Sequence, residues 1–189
     1  MQEKREEWKK FQSKLDILKL KFLDESSVNC GMTRLYGRAL SSERVYDYVP
    51  DVRFERTSII MTMGLNGINA PMMFKGTLDG ELFSGWVEYF LAPTLSPGDI
   101  VVLDNCSTHK ANGVLNSIYE VGTSVIFLPP YSPDFNPIEL MFSKLKTILR
   151  KLKPRNSDQL FEAMKQGLDS VTYENIVGWF SRCGYLVNL

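Results

Sequence analysis

The sequence predicts a mixed α/β fold in which helices cover a sheet of antiparallel and parallel strands. Two apolar runs, 58–63 and 68–74, flank Asn66-Gly67, which is a strong signal for an antiparallel hairpin. Short apolar runs at 100–103 and 124–128 alternate with helical patterns, as buried parallel strands do. The 189 residues are 44% hydrophobic and 23% charged, which suits one globular domain rather than a disordered or fibrous chain.

The first half of the chain contains mainly strand patterns. Residues 3–16 form a highly charged helical pattern, which we expect to be a lead-in rather than a core element. Residues 18–24 alternate between apolar and polar side chains, which predicts a half-buried strand ending at Asp24. A further strand is predicted over 33–38. Pro71 cannot donate a hydrogen bond to a neighbouring strand, so the strand at 68–74 belongs at an edge of the sheet.

The second half of the chain contains mainly helical patterns. The apolar run at 100–103 ends at Asp104, and Gly122 ends the helix that precedes the strand at 124–128. A proline-rich turn then leads into the helix that begins at Pro137. Helices are predicted over 81–91, 110–121, 137–153, 158–171 and 173–183.

Charge is distributed unevenly, although 22 basic and 22 acidic side chains give a net charge of zero. Residues 143–157 carry six positive and no negative side chains, whereas residues 22–142 carry seven positive and fourteen negative ones. The neutral total therefore does not exclude a nucleic-acid partner. Three cysteines without a Cys-x-x-Cys pair argue against disulfides or structural zinc. No signal peptide or membrane-spanning run is present, so we expect a soluble, intracellular protein.

Three carboxylates occupy positions where a polar side chain needs an explanation. Asp24 and Asp104 follow apolar strands, and Glu139 lies in the first turn of a helix. Acids at neighbouring strand ends can converge, and their mutual repulsion favours a divalent cation such as Mg²⁺ or Mn²⁺. Each acid also has a structural explanation. Asp24 can open a turn, Asp104 can cap one, and Glu139 fits a capping box with Asn136.

Two longer runs carry a family resemblance. The sequences DNCSTH (104–109) and FLPPYSPDFNPIE (127–139) leave 34 residues between Asp104 and Glu139, and FLDES (22–26) lies upstream. Together they resemble the catalytic core of DDE transposases of the mariner-like superfamily, including its bacterial insertion-sequence branch. The resemblance implies a ribonuclease H-like fold whose Asp24, Asp104 and Glu139 hold two Mg²⁺ or Mn²⁺ ions. It also implies DNA strand cleavage and strand transfer at the ends of a transposable element.

The resemblance suggests a division of the chain and several supporting residues. We expect a charged helical lead-in (1–17), a DDE catalytic domain (18–155) and C-terminal helices packed on the same domain (156–189). Asn105 and His109 match the family pattern and would support the site, although His109 also fits a helix start without chemistry. A solvated face is the ordinary explanation of a basic run, but this one follows Glu139 directly. The expected DNA-binding residues are Lys144, Lys146, Arg150, Lys151, Lys153 and Arg155.

The resemblance also implies partners and leaves two alternatives open. The implied partner is double-stranded DNA, as element terminal repeats and as a target, which in this superfamily is usually TA, a step that kinks easily. We also expect a homodimer and a separate N-terminal helix-turn-helix module, which we do not recognise ahead of Asp24. The expected location is the bacterial cytoplasm. The first alternative is a non-autonomous or inactive transposase-derived fragment that binds DNA. The second is a different ribonuclease H-like nuclease.

Overall fold

The computed structural model describes residues 2–106, 109, 113 and 115–186. Within these residues, five strands form one sheet in the order β3-β2-β1-β4-β5. β1 pairs antiparallel with β2 and parallel with β4, so the predicted mixed sheet is confirmed. Pro71 lies on the edge strand β3, as expected. The strands are β1 (Leu20–Val28), β2 (Thr57–Gly64), β3 (Gly67–Lys75), β4 (Ile100–Leu103) and β5 (Ser124–Phe127).

Helices cover both faces of this sheet. They are α1 (Gln2–Gln12), α2 (Gly80–Trp86), α3 (Asn116–Glu120), α4 (Pro137–Leu152), α5 (Ser157–Asp169) and α6 (Tyr173–Arg182). The predicted helix over 81–91 is confirmed, and its last part, Val87–Leu91, is a wider π-helix. Much of the first half of the predicted helix over 110–121 lies outside the described residues. No helix in the described part of the chain is long and apolar enough to cross a membrane.

Alternating side chains of the central strand divide the core into two layers. Leu20 and Phe22 point to one face and pack in a cluster with side chains of α4, α5 and α6. Leu23 points to the other face and packs with Phe83 and Trp86 of α2. Although both faces of β1 are covered, five of its nine residues are polar, so their burial has to be offset by hydrogen bonds or charge partners.

Two strand predictions are wrong. Residues 33–38 are not a strand: they lie in the connection between β1 and β2, and β1 is already paired on both sides, with β2 and β4. Asp24 does not end β1, which continues to Val28 because β2 pairs with it along that whole length. The predicted strand at 124–128 forms, but β5 is only partly buried because it is an edge of the sheet.

The charged N-terminal helix is more than a lead-in. α1 carries the side chain of Trp8 into the core, where it is 7% exposed and belongs to the cluster on the α4 side of the sheet. The side chain of Gln12 is also buried and donates a hydrogen bond of 2.9 Å to the carbonyl of Gly184. The expectation that this helix contributes nothing to the core is therefore wrong at these two positions. The high average charge of α1 makes its one apolar face difficult to recognise in the sequence.

Candidate active site

Two aspartates meet at one end of the sheet because of the register of its strands. β4 runs parallel to β1, with Val102 opposite Phe22. Continued by two residues, this register places Asp104, directly after β4, beside Asp24 in β1. Side-chain alternation puts Asp24 on the same face of the sheet as Phe22, the face that α4 covers.

Glu139 reaches the same region from the first turn of α4. A short 3-10 helix over Pro133–Phe135 precedes α4, and Pro137 occupies its first turn, where a missing N–H has no consequence. The predicted capping box is wrong, because the side chain of Asn136 makes no capping hydrogen bond. Its Nδ2 instead donates a hydrogen bond of 2.9 Å to Asp24 Oδ2 and so ties the start of α4 to β1.

The three carboxylates line one cleft of about 400 Å³. Asp24 is buried and only 8% exposed, whereas the side chain of Asp104 is 48% exposed and Glu139 is exposed. The cleft therefore has one buried acid and two that face solvent. Its other lining residues are Asn105, Leu128, Pro129, Pro130, Tyr131, Ser132, Pro133 and Asn136.

The buried acid is strongly perturbed by its surroundings. The pKa of Asp24 is raised from 3.8 to about 8, mainly by burial, and the nearby charges of Glu139 and Asp104 contribute in the same direction. The backbone N–H of Glu25 donates a hydrogen bond of 2.8 Å to Asp24 Oδ1 and opposes this shift. A carboxyl group that is largely neutral at pH 7 results from poor solvation combined with like charges. A cation in the cleft would reverse the effect.

The donor set of the cleft fits a hard divalent cation, because each of the three acids offers carboxylate oxygens. In the described part of the chain, no three His, Cys, Asp or Glu side chains are already arranged to coordinate one ion together. The cleft gathers the acids without closing them into a coordination sphere, as expected for carboxylates that repel one another until a cation draws them together. The exposure of Asp104 and Glu139 leaves room for that movement.

His109 contacts Asp104 directly. Its Nδ1 lies 2.8 Å from Asp104 Oδ1, and the backbone N–H of Cys106 donates a hydrogen bond of 2.9 Å to the same oxygen. The imidazole is 2% exposed and its ring centroid lies 4.8 Å from that of Phe83. A buried ring against Phe83 has little freedom to move. These contacts place His109 where it can orient Asp104.

Asn105 also lies in the cleft, next to Asp104. Its Nδ2 donates a hydrogen bond to the carbonyl oxygen of Leu128, just after β5. The bond connects the end of β4 to the start of the proline-rich turn. Asn105 therefore makes a contact that holds one wall of the cleft in place.

The proline-rich turn is also held by side chains that no sequence pattern identifies. Arg5 of α1 donates hydrogen bonds of 2.7 Å to Ser132 Oγ and of 3.0 and 2.6 Å to the carboxylate of Asp134. Its guanidinium group lies 4.6 Å from the ring centroid of Phe135. The hydroxyl group of Tyr185 donates a hydrogen bond of 2.8 Å to the Phe135 carbonyl. These partners are far apart in sequence, so no local pattern identifies them.

A family model described as DDE superfamily endonuclease matches residues 19–161, which include all three acids of the cleft. The chain belongs to the DDE endonuclease superfamily. No curated protein sequence matches it.

Solved structures of the Mos1 transposase share the fold of this DDE chain. The paired-end complex with the left transposon end has a TM-score of 0.73 at 14% identity, covering 96% of this chain and 57% of that one. The mariner Mos1 paired-end complex with Mg gives 0.74 at 15% identity, covering 96% and 58%. The Mos1 catalytic domain gives 0.65 at 14% identity, covering 96% and 89%. The ribonuclease H-like fold is thereby confirmed, and the chain spans under three-fifths of the Mos1 chains in those complexes.

Half of the predicted DNA-binding residues make contacts within this DDE chain. The ammonium group of Lys144 donates hydrogen bonds of 2.6 Å to the Ser170 carbonyl and 2.5 Å to Asn175 Oδ1, near the junction of α5 and α6. Arg155 donates hydrogen bonds to backbone carbonyls that follow β1, and Lys153 pairs with an aspartate of the same connection. The other three, Lys146, Arg150 and Lys151, lie partly or fully exposed on α4. DNA contact by these six residues stays a prediction.

Proposed function

We propose that this chain contains the catalytic domain of a mariner-like DNA transposase of the bacterial insertion-sequence branch. It cleaves DNA at the ends of a transposable element and joins them to a target through Asp24, Asp104 and Glu139. The observation that carries the proposal is that these acids, from β1, the end of β4 and the start of α4, line one cleft in a DDE fold. We assign residues 18–155 to catalysis, with the lead-in (1–17) and the C-terminal helices (156–189) packed on it.

The three acids have different parts in the proposed mechanism. Two Mg²⁺ or Mn²⁺ ions, when bound, supply activation of the attacking oxygen and neutralise charge on the leaving oxygen of an in-line displacement. Asp24 is the fixed ligand, because Asn136 and the backbone of Glu25 hold both of its oxygens. Asp104 is oriented by His109, and Glu139 is the exposed ligand.

Double-stranded DNA is the proposed partner. The basic surface of α4 follows Glu139 directly along the chain and would lie beside a DNA backbone in the cleft. We propose that the substrates are the element's terminal repeats and a TA target, whose easily kinked step lowers the energy of distortion. Recognition of the repeats is assigned to a helix-turn-helix module, as in the family, and the site of action to the bacterial cytoplasm.

A second copy of the chain is a further proposed partner, because two element ends must be processed together. Val28 and Thr57 are paired across the sheet, and residues 29–56 form the connection between them. This connection carries eight large apolar side chains that are exposed, and a concentration of exposed apolar side chains is typical of an interaction site. The exposed side chains are Leu35, Tyr36, Leu40, Val45, Tyr46, Tyr48, Val49 and Val52.

The decisive experiment measures nicking of a supercoiled plasmid that carries the gene with both of its flanking sequences, in Mg²⁺, in Mn²⁺ and in chelator. Asp104→Asn is expected to lower the nicking rate about 1,000-fold, since metal-assisted stabilisation is worth several kcal/mol and each 1.36 kcal/mol is tenfold. Glu88→Gln, which changes an exposed acid on the π-helix outside the cleft, is the matched control and should leave the rate unchanged.

Two outcomes would count against the proposal. Nicking that survives Asp104→Asn or the chelator would refute the assigned mechanism. DNA binding without nicking in either metal, even with a helix-turn-helix module from a related element fused to the chain, would favour the alternative of an inactive, DNA-binding transposase fragment.

A further inference from the structure

A surface groove lies where α2 and the π-helix that continues it meet the edge strand β3. It has a volume of about 430 Å³ and shares no lining residue with the catalytic cleft. We call it the α2 groove. Large apolar and aromatic side chains contribute much of its lining, among them Met72, Trp86, Tyr89 and Phe90.

The π-helix turns an aromatic side chain out to the rim of this groove. Trp86 and Val87 are buried, and an α-helix that continued with 3.6 residues per turn would bury position 90 as well. The wider π-helix over Val87–Leu91 instead leaves Phe90 51% exposed, next to Tyr89 at 69%. π-helices are rare and occur frequently at functional sites. Two adjacent exposed aromatic rings suit a surface that a partner covers.

The floor of the α2 groove is held from below. The Trp86 ring stacks on Phe83 with 6.2 Å between the ring centroids, and its Nε1 donates a hydrogen bond of 3.0 Å to the Ala70 carbonyl of β3. Ala70 has a φ angle of +52° at a β-bulge, where the register between β2 and β3 shifts. Because this floor is already in place, a partner side chain can enter without first ordering it.

Two carboxylates at the start of α2 give the groove a negative charge. Asp79 and Glu81 are exposed and contribute to its lining. Among the residues that the structure describes, neither acid forms an ion pair. Their charges would repel a DNA backbone, and they would repel each other if two copies of the chain met groove to groove. Lysine or arginine is the complementary partner.

We infer that the α2 groove binds a basic segment of a protein partner, which inserts one large apolar side chain and places lysine or arginine beside Asp79 and Glu81. A protein segment fits better than a small molecule, because an open groove with exposed aromatic rims cannot enclose a small ligand. A segment that continues past the groove can cover both rings. Binding there does not require the proposed nuclease activity.

Gly85 offers a way to fill the groove without disturbing the core. It lines the groove from α2, and a Cβ at this position would have no neighbouring atom within 4 Å. Gly85→Arg should therefore occupy the groove and melt at or above the temperature of the original chain, since glycine destabilises a helix. Gly178→Arg is the matched control, because it adds the same side chain to α6 at a position that is equally open.

The probe is a displayed library of random peptides of about 12 residues, selected on the full chain and depleted on Gly85→Arg. The recovered peptides are expected to share a large apolar side chain and a net positive charge. One of them is then followed by fluorescence anisotropy. Phe90→Ala should weaken its binding at least about 30-fold and Glu81→Lys at least about tenfold, whereas Gly178→Arg should bind it as the original chain does.

Several outcomes would overturn the inference. It fails if no peptide distinguishes the original chain from Gly85→Arg, if the recovered peptides are acidic, or if Gly178→Arg loses binding equally. If Gly85→Arg melts at a lower temperature, the surface variants Phe90→Ala and Glu81→Lys decide, and retained affinity in both refutes the site. If sedimentation shows self-association of the original chain that only Gly85→Arg abolishes, the occupant is a second copy and the assigned partner is wrong.

Discussion

Replacing Asp24 with asparagine is expected to stabilise the metal-free chain while abolishing DNA cleavage. The folded state raises the pKa of this carboxyl group from 3.8 to about 8, so near pH 7 folding requires the uptake of a proton. Each tenfold change in proton affinity corresponds to about 1.36 kcal/mol, and between pH 3.8 and pH 7 this amounts to about 4 kcal/mol. Local relaxation around the charge reduces the expected gain to about 2–4 kcal/mol.

The structure also shows how the substitution is accommodated. Asn136 Nδ2 donates to Asp24 Oδ2, while Asn136 Oδ1 is buried without a hydrogen-bond partner among the described residues. Rotation of the Asn136 amide by half a turn would offer that oxygen to the new side-chain amide at position 24. The backbone N–H of Glu25 would keep its acceptor. The substitution therefore exchanges a poorly solvated acid for a neutral group with the same shape.

Urea denaturation in chelator between about pH 5 and about pH 8 measures the effect. Because the folded pKa lies above the unfolded one, the original chain should lose stability as pH rises through this range. Asp24→Asn should lack that loss, and Mg²⁺ should stabilise only the original chain. Asp99→Asn, in a buried acid outside the cleft that accepts a hydrogen bond from the Ser96 N–H, is the control and should not stabilise. Equal stability of Asp24→Asn and the original chain at about pH 8 would refute the reasoning.

Three further predictions concern the turn and the basic helix. Arg5→Ala should lower the melting temperature and the nicking rate, the latter about tenfold, because the turn before Glu139 loses its bonds to Arg5. Lys4→Ala, on the same helix, is its control, and an equal loss there would contradict the assignment. Joint replacement of the exposed α4 cations Lys146, Arg150 and Lys151 by alanine should reduce the salt dependence of DNA binding, by about 0.9 in log–log slope for each phosphate that these side chains neutralise. An unchanged slope would contradict DNA contact there. Lys144→Ala should instead destabilise the fold by about 1–2 kcal/mol, because its ammonium group bonds to Ser170 and Asn175.

The sequence was sufficient for the sheet and for the position of Asp104. Apolar runs in the sequence indicate strands that are buried on both faces. Asn66-Gly67 indicates the hairpin between β2 and β3, in which Gly67 has a φ angle of +122°. Strand length is set by pairing instead, which is why β1 continues past Asp24 as far as Val28. The predicted strand at 33–38 does not form for the same reason, since no local pattern states whether a neighbouring strand is available.

Contacts between distant segments account for the rest of what the sequence left out. Asn136 precedes a proline at a helix start, which locally indicates a cap, yet its actual partner is Asp24, 112 positions away. Lys144 looked like part of a solvated basic run, but α5 and α6 supply acceptors for it. In both cases the side chain has two acceptable local roles, and the tertiary fold decides between them.

The proline-rich turn before Glu139 is held by segments from both ends of the described chain. Arg5 fastens it through Ser132 and Asp134, and Tyr185 fastens it through the Phe135 carbonyl. A truncated protein restricted to residues 19–161 would retain every acid of the cleft and yet lose both fastenings. A fragment that keeps Glu139 in the cleft with Asp24 must therefore be longer than the stretch that matches the family. It must extend from α1 to the residues after α6.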